Sequence, residues 1–244
     1  MHRFFVDYIV NSDEVIIDNI NDVNHIKRAL RVQIDEKLEI CDASEQEYIV
    51  SVVSMDEQII CNVIEKRLVS RESDVLVDLY QGLAKGSKME TIIQKSVELG
   101  VHNIYPLLTK RVIVKLDNKG EKKKIERWQK IADEAAKQSK RSHIPEVKSM
   151  VSIKNLNQAL VDYDLVLIAY ELESSRSLKE HLVEGVKKVA IIIGPEGGFE
   201  SEEVETLVNN GAHSVSLGPR ILRTETAGIA MLSIIQYAIG DISQ

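Results

Sequence analysis

The chain has 244 residues, 44% of them hydrophobic and 28% charged, and a net charge of −7. This is ordinary globular composition with room for one large or two modest domains. Taken whole, the negative charge speaks against a polyanion partner, and the lack of any bilayer-length apolar run speaks against a spanning helix. The first residues, MHRFFVDYIVNSDE, meet acid at Asp7 and form no signal peptide. Cys41 and Cys61 have neither CxxC spacing nor nearby histidines, so they read as reduced thiols of a cytosolic protein, with no metal site and no disulfide. The charge is unevenly spread. Gln81 to Lys148 holds 16 Lys and Arg against 8 Asp and Glu, which makes that segment +8 and the remainder −15. Such a chain presents either a basic face to nucleic acid or a set of solvated lysine-rich helices.

Residues 1 to about 70 alternate apolar and polar over short runs. Phe4–Val10, Lys37–Cys41, Tyr48–Val53 and Ile59–Val63 read as strands, with one helix at His25–Leu30, and together they suggest a small barrel or sandwich. The polar run Glu65–Asp74 marks a domain boundary, with domains over 1–70 and 74–244. Val75–Ala84 is a buried strand. The Lys85-Gly86-Ser87-Lys88 that follows is no P-loop, because Gly82 and Gly86 are too close and Ser87 displaces the lysine. Ser87 and Glu90 are spaced as a capping box for a helix that ends at Gly100. Asn103–Leu108 is a strand, Lys110–Lys124 a basic loop, and Glu121–Ser139 an amphipathic helix with Trp128 on its core face. The basic QSKRSH follows at 138–143. Asp164–Tyr170, Val189–Gly194 and His213–Leu217 read as strands of a parallel sheet. Ser177–Val183, Ser201–Asn210 and Thr224–Ile239 are the intervening and final helices, Ser201 being the N-cap of the second. The last is apolar or small nearly all round, which predicts burial.

Two stretches organise this half: IIIGPEGGF at Ile191–Phe199 and LGPRILRTETA at Leu217–Ala227. Each is a strand that stops at glycine, bends through Gly-Pro and enters a helix. Two such units predict loops opening on the carboxyl edge of one sheet, where ligands of open α/β folds bind. Gly194, Gly197 and Gly198 permit close backbone approach, and Glu196 and Glu225 lie beside Arg220 and Arg223. Carboxylates beside guanidinium groups in a glycine-lined cleft form either an acid/base set or a structural ion pair around two tight connections. The GxGxxG fingerprint is missing, which disfavours NAD.

The same stretches resemble the two signature loops of the SPOUT class of methyltransferases, and more narrowly those of the RsmE-type ribosomal RNA methyltransferases. RFFV at Arg3–Val6, LYQGLAKGSKMETIIQKSVELGV at Leu79–Val101 and ERWQKIADEAAKQSKRSHIPEV at Glu126–Val147 extend the likeness over nearly the whole chain. One departure is Lys140, where that family often carries glycine. The resemblance implies an α/β SPOUT domain with a trefoil knot and a mostly parallel sheet, preceded by a PUA-like β-barrel that binds RNA. It implies S-adenosylmethionine as methyl donor, a cytoplasmic homodimer, and 16S rRNA of the small ribosomal subunit as substrate, methylated at N3 of one uridine. Carried over by position, the cofactor contacts are Ala169, Tyr170, Ile193, Gly194, Pro195, Gly197, Gly198, Leu217, Gly218, Ile221, Leu222, Arg223, Thr226 and Ala227. RNA would be gripped by Arg3, Arg28 and Arg31 of the barrel together with Lys85, Lys88, Arg141 and Arg220.

N3 of uridine is a poor nucleophile until its proton leaves, so Glu225 or Glu196 is expected to guide that proton and Arg223 to stabilise the developing uracil oxyanion. N3 lies on the Watson–Crick edge, so the base must be unpaired to react. Two rivals use the same fold: a non-catalytic RNA-binding assembly factor, which would not bind the methyl donor, and a tRNA ribose methyltransferase, against which the N-terminal module argues.

Overall fold

The structure, a computed structural model, describes residues 1–67, 71–112, 118–173 and 176–242. The chain divides into two units: Met1–Glu72 with Lys137–His143, and Ser73–Ala136 with Ile144–Gln244. The boundary expected at Glu65–Asp74 includes residues 68–70, which lie outside the described residues.

The first unit contains β1 (Arg3–Phe5), β2 (Glu14–Ile17), α1 (Ile20–Asn24) continuing into a π-helical turn at His25–Leu30, β3 (Lys37–Cys41), β4 (Glu47–Met55) and β5 (Ile59–Lys66). They make one five-stranded sheet in the order β1-β3-β4-β5-β2, in which only β1–β3 is parallel. Alternate residues of these strands, among them Phe4, Val15, Ile17, Leu38, Ile40, Val50, Val52 and Ile59, fill the core with Ile26. The run Phe4–Val10 is strand only at its start. Further on, the Val10 N–H donates to the Asp42 carboxylate at 3.0 Å instead of to a neighbouring strand.

Residues 137–143, expected in the second domain, complete the first unit. Here the structure corrects two expected RNA contacts. Arg3 is buried, its side chain 1% exposed, between Glu39 (3.4 Å) and Glu47 (2.7 Å). Its Nη1 also donates to the carbonyl of Arg141 at 2.7 Å. Arg141 is itself buried, 2.5 Å from Glu72. A guanidinium so enclosed by carboxylates is spent inside the protein. Lys140 adopts φ 60°, the left-handed conformation that favours glycine, and its ammonium reaches Glu39 at 3.0 Å. Cys41 and Cys61 are buried free thiols, and burial pushes each up to about 12.

The second unit runs β6 (Leu76–Gly82), α2 (Lys88–Glu98), β7 (Val101–Leu108), α3 (Asn118–Ser139, its last turn in the first unit), β8 (Glu146–Val147), β9 (Val151–Ser152), α4 (Ile153–Ala159), β10 (Leu165–Ala169), β11 (Lys188–Ile193), α5 (Ser201–Asn209), β12 (His213–Val215) and α6 (Thr224–Ala238). Short 3₁₀ turns occupy Leu160–Asp162 and Leu178–His181. The sheet order is β12-β10-β11-β6-β7-β8, with β9 also on β7, and every pairing is parallel. This is a mixed α/β unit. Strand order reverses where β11 pairs with β6, the topological switch point at which such sheets bind ligands.

Several local expectations need correction. Ser87 precedes α2 but makes no capping hydrogen bond with its side chain, and Glu90 pairs instead with Arg127 at 2.6 Å. The expected basic loop Lys110–Lys124 is already helical from Asn118, and residues 113–117 lie outside the described residues. Trp128 is in the core, 5% exposed. The capping box of α5 is made by Glu200 and Glu203, with Glu200 rather than Ser201 as N-cap. Helix α6 buries one face through Ala227, Gly228, Met231, Leu232 and Ile235, but Ile234 and Tyr237 are exposed. Among the described residues no helix is long and apolar enough to cross a membrane, and no cluster of His, Cys, Asp and Glu is placed to hold a metal ion.

Candidate active site

Strands β10, β11 and β12 are adjacent and parallel, so the chain leaves all three at the same edge. There the segments after them enclose a cleft of about 530 Å³. One wall is Gly194–Gly198, a second is Ser216–Glu225 with Ala227, and the floor carries Ala169, Tyr170 and Glu171. Every residue expected at a cofactor site lines this cleft except Thr226, which is exposed outside it. Arg220, expected to bind RNA, also lines it. Glu171, Ser216 and Thr224 line it without having been anticipated, together with Pro219 of the second Gly-Pro bend.

Close backbone packing builds the first wall. A Cβ on Gly82 would sit 2.4 Å from Pro195 N and 2.8 Å from Gly194 C, so only glycine lets the end of β6 pass beneath the turn. Gly198 has φ 68°, and a Cβ there would meet a Glu171 carboxylate oxygen at 2.5 Å. Arg111 props the turn by donating to Gly197 O at 2.7 Å and to Glu200 at 2.8 Å. Since backbone cannot yield as a side-chain tip does, Gly82→Ala should cost about 2–3 kcal/mol, read as a lowered thermal midpoint.

The second wall starts α6. Thr224 Oγ1 donates to Gly194 O at 2.6 Å and joins the two walls. The backbone N–H groups of Leu217, Ile221 and Leu222 have no protein acceptor among the described residues, and Ile221 is 87% exposed. Polar donors and an apolar side chain left open on one loop are the surface a small, partly polar ligand would cover.

Charged groups gather at the rim. Lys88, at the start of α2, lies 3.1 Å from Glu196 and 3.6 Å from Glu225. Glu196 also accepts the backbone N–H of Lys85 at 3.0 Å. Burial opposes ionisation of Glu196, but the Lys85 N–H, its own N–H and the Lys88 ammonium outweigh burial and hold its carboxyl below the ordinary range. The hydrogen bond to Glu196 raises Lys88, against a smaller opposing effect of burial. Glu225 differs: its buried Oε2 has no hydrogen-bond partner among the described residues. Arg223 and Arg220 are exposed. Of the remaining expected RNA contacts, Lys85 in this unit and Arg28 and Arg31 in the first are exposed.

A family profile for an RNA methyltransferase domain matches residues 71–236. A ribosomal RNA small subunit methyltransferase E from Bacillus subtilis is 41% identical over 88% of this chain and 87% of its own length. One of the same name from Buchnera aphidicola of Schizaphis graminum is 32% identical over 99% and 98%. The crystal structure of a ribosomal RNA small subunit methyltransferase E from Neisseria gonorrhoeae bound to S-adenosyl methionine superposes with a TM-score of 0.85 at 27% identity, covering 99% of each chain. A Legionella pneumophila protein in complex with the bound cofactor SAM does so with a TM-score of 0.87 at 34% identity, covering 98% of each. A parallel sheet opening on a cleft between two Gly-Pro loops, and these likenesses over almost the whole chain, lead to one assignment: the chain belongs to the RNA methyltransferase family, in its ribosomal RNA small subunit methyltransferase E branch.

Proposed function

We propose that the protein methylates N3 of a uridine in 16S rRNA of the small ribosomal subunit, with S-adenosylmethionine as donor. The observation that carries this reading is the cleft between the two Gly-Pro loops, rimmed by Lys88, Glu196 and Glu225. The residues present suit the donor. Ile193, Leu217, Leu222 and Ala227 offer apolar surface to its adenine, the unsatisfied N–H groups of Leu217, Ile221 and Leu222 offer donors to its ring nitrogens, and Glu171 offers a carboxylate to its hydroxyls. When bound, the donor supplies a sulfonium methyl that a nitrogen nucleophile takes without further activation.

The chain's own residues then have to hold the acceptor and remove one proton. Glu225, whose Oε2 accepts no hydrogen bond among the described residues and has only the 3.6 Å ion-pair contact to Lys88, takes the N3 proton. Glu196, already accepting from Lys85 and Lys88, orients the Lys88 ammonium. Arg223, exposed at the mouth, faces the negative charge that spreads onto the uracil oxygens. Arg28, Arg31, Lys85, Lys88 and Arg220 serve the RNA backbone.

The finer architecture belongs to the same proposal. The five-stranded sheet of the first unit is a PUA-like RNA-binding barrel over residues 1–70, and residues 74–244 are a SPOUT domain. A trefoil knot is part of this reading, supported by α6 packing on β6, β11 and α2 and by the Thr224 hydrogen bond to Gly194. The exposed Ile234 and Tyr237 of α6 are covered by a second copy in a homodimer. An rRNA substrate goes with a cytoplasmic setting. The test is incubation of the purified protein with donor and either free 16S rRNA or isolated small subunits, followed by mass spectrometry of the nucleosides. 3-Methyluridine is the expected product. A ribose-methylated nucleoside, or no transfer despite bound donor, would overturn the reading.

A further inference from the structure

Gln81 is fully buried at the end of β6 and does not line the cleft. Its Nε2 donates to Thr224 Oγ1 at 2.9 Å and to Gly82 O at 3.1 Å. Thr224 Oγ1 donates in turn to Gly194 O at 2.6 Å. A hydroxyl has a single proton. Thr224 gives that proton to the Gly194 carbonyl, so its oxygen must accept, and the amide nitrogen of Gln81 is the group that donates to it. The hydroxyl thereby fixes which way the amide points, and Gln81 Oε1 is left buried with no partner among the described residues. The same oxygen faces Gly228, where a Cβ would come within 3.4 Å of it. An apolar side chain of equal size would fill this space without stranding an acceptor, so packing alone does not account for glutamine here.

We propose that Gln81 and Thr224 are positioning residues that hold the two cleft walls in one geometry. The relay runs from β6 through the first residue of α6 to the carbonyl that begins the GPEGG turn. It therefore sets the Gly194–Gly198 wall and, one residue along, the backbone that carries Glu225. Neither residue is assigned a chemical step: Gln81 acts through Thr224, and Thr224 through Gly194 and its neighbours. The proposal rests on the reading of the cleft as the S-adenosylmethionine site.

The experiment compares Gln81→Met, Thr224→Val and Thr224→Ser with the wild type by titration calorimetry with S-adenosylmethionine, thermal unfolding, and separate kcat and KM values for methyl transfer. Gln81→Met removes the donor and the stranded acceptor together, so it should melt within about 3 °C of the wild type. Its affinity for the donor should nonetheless fall about five- to tenfold. Thr224→Val should weaken binding at least as much, and Thr224→Ser, which keeps the hydroxyl, should return it to within about twofold of the wild type. A raised KM for the donor with serine rescue is a signature that loss of stability alone would not give. Wild-type affinity in Gln81→Met, or a Thr224→Ser variant as weak as Thr224→Val, would overturn the proposal. Should Thr224→Val fail to fold, Gln81→Met decides by itself. Failure of the wild type to bind the donor is a different result, which removes the cofactor reading and this relay with it.

Discussion

Glu225→Gln should lower kcat for methyl transfer by about 10²–10³-fold while donor affinity stays within about threefold of the wild type. The two rim carboxylates are not equivalent. Glu196 is engaged at Oε1 by both the Lys85 N–H and the Lys88 ammonium, and its carboxyl is held below the ordinary range, which makes it a reluctant proton acceptor. Glu225 keeps a buried oxygen with no hydrogen bond and only the longer 3.6 Å contact to Lys88. The amide of glutamine occupies the same volume and cannot take the proton. Glu196→Gln should instead loosen Lys88 and the turn, raising KM with less than about a tenfold loss in kcat. Single-turnover transfer to small subunits, with donor binding measured alongside, separates the two. A larger kcat loss in Glu196→Gln than in Glu225→Gln would exchange their roles.

Arg3→Ala should destabilise the first unit by about 3 kcal/mol, at the lower end of what breaking a buried ion pair costs. The side chains of Glu39 and Glu47 are 4% exposed, so removal of the guanidinium leaves two carboxylates in the interior. Lys140 at 3.0 Å and Arg67 at 3.6–3.7 Å remain to compensate, which keeps the loss from being greater. In a unit of this size the thermal midpoint should drop by roughly 10 °C or more. Calorimetric scanning tests this, and a midpoint within about 2 °C of the wild type would show that the cluster stabilises little. The pH dependence carries a sign. Burial raises Glu39 and Glu47, but their hydrogen bonds to Lys140 and Arg3 and the surrounding cations outweigh it, so both lie below their ordinary value of 4.5. Groups depressed in the folded state contribute stability above 4.5, and that contribution is lost as pH falls through the lower folded values. The wild type should therefore weaken in that acid window, and Arg3→Ala, having already lost part of the contribution, should weaken less.

The two cleft loops were legible in the sequence because their determinants are local: a β-branched run, a glycine, a proline, then a helix start. The parallel sheet followed from the same alternation. What was not legible depends on long-range contact. Nothing near Arg3 or Arg141 announces Glu39, Glu47 or Glu72, so both read as RNA contacts, whereas Arg3 is enclosed by acids of β3 and β4 and Arg141 pairs with Glu72, which lies outside the strands. Lys88 meets Glu196 and Glu225 from more than a hundred positions away in the chain. Thr224 and Glu171 escaped notice because an isolated threonine or glutamate has no pattern. Ser87 and Glu90 had the spacing of a cap, but Arg127 from α3 competed for the glutamate.

The N-terminal unit is closed by residues 137–143, which supply Lys140 and the Ser142 hydroxyl to its buried acids and the Arg141 carbonyl to Arg3. During vectorial synthesis the five strands emerge well before that segment, with Glu39 and Glu47 facing a half-assembled counter-charge. The nascent chain thus has to carry an immature N-terminal sheet while most of the switch-point sheet is still unmade. A truncation ending after β7 should expose this state as a loosely folded, protease-sensitive product.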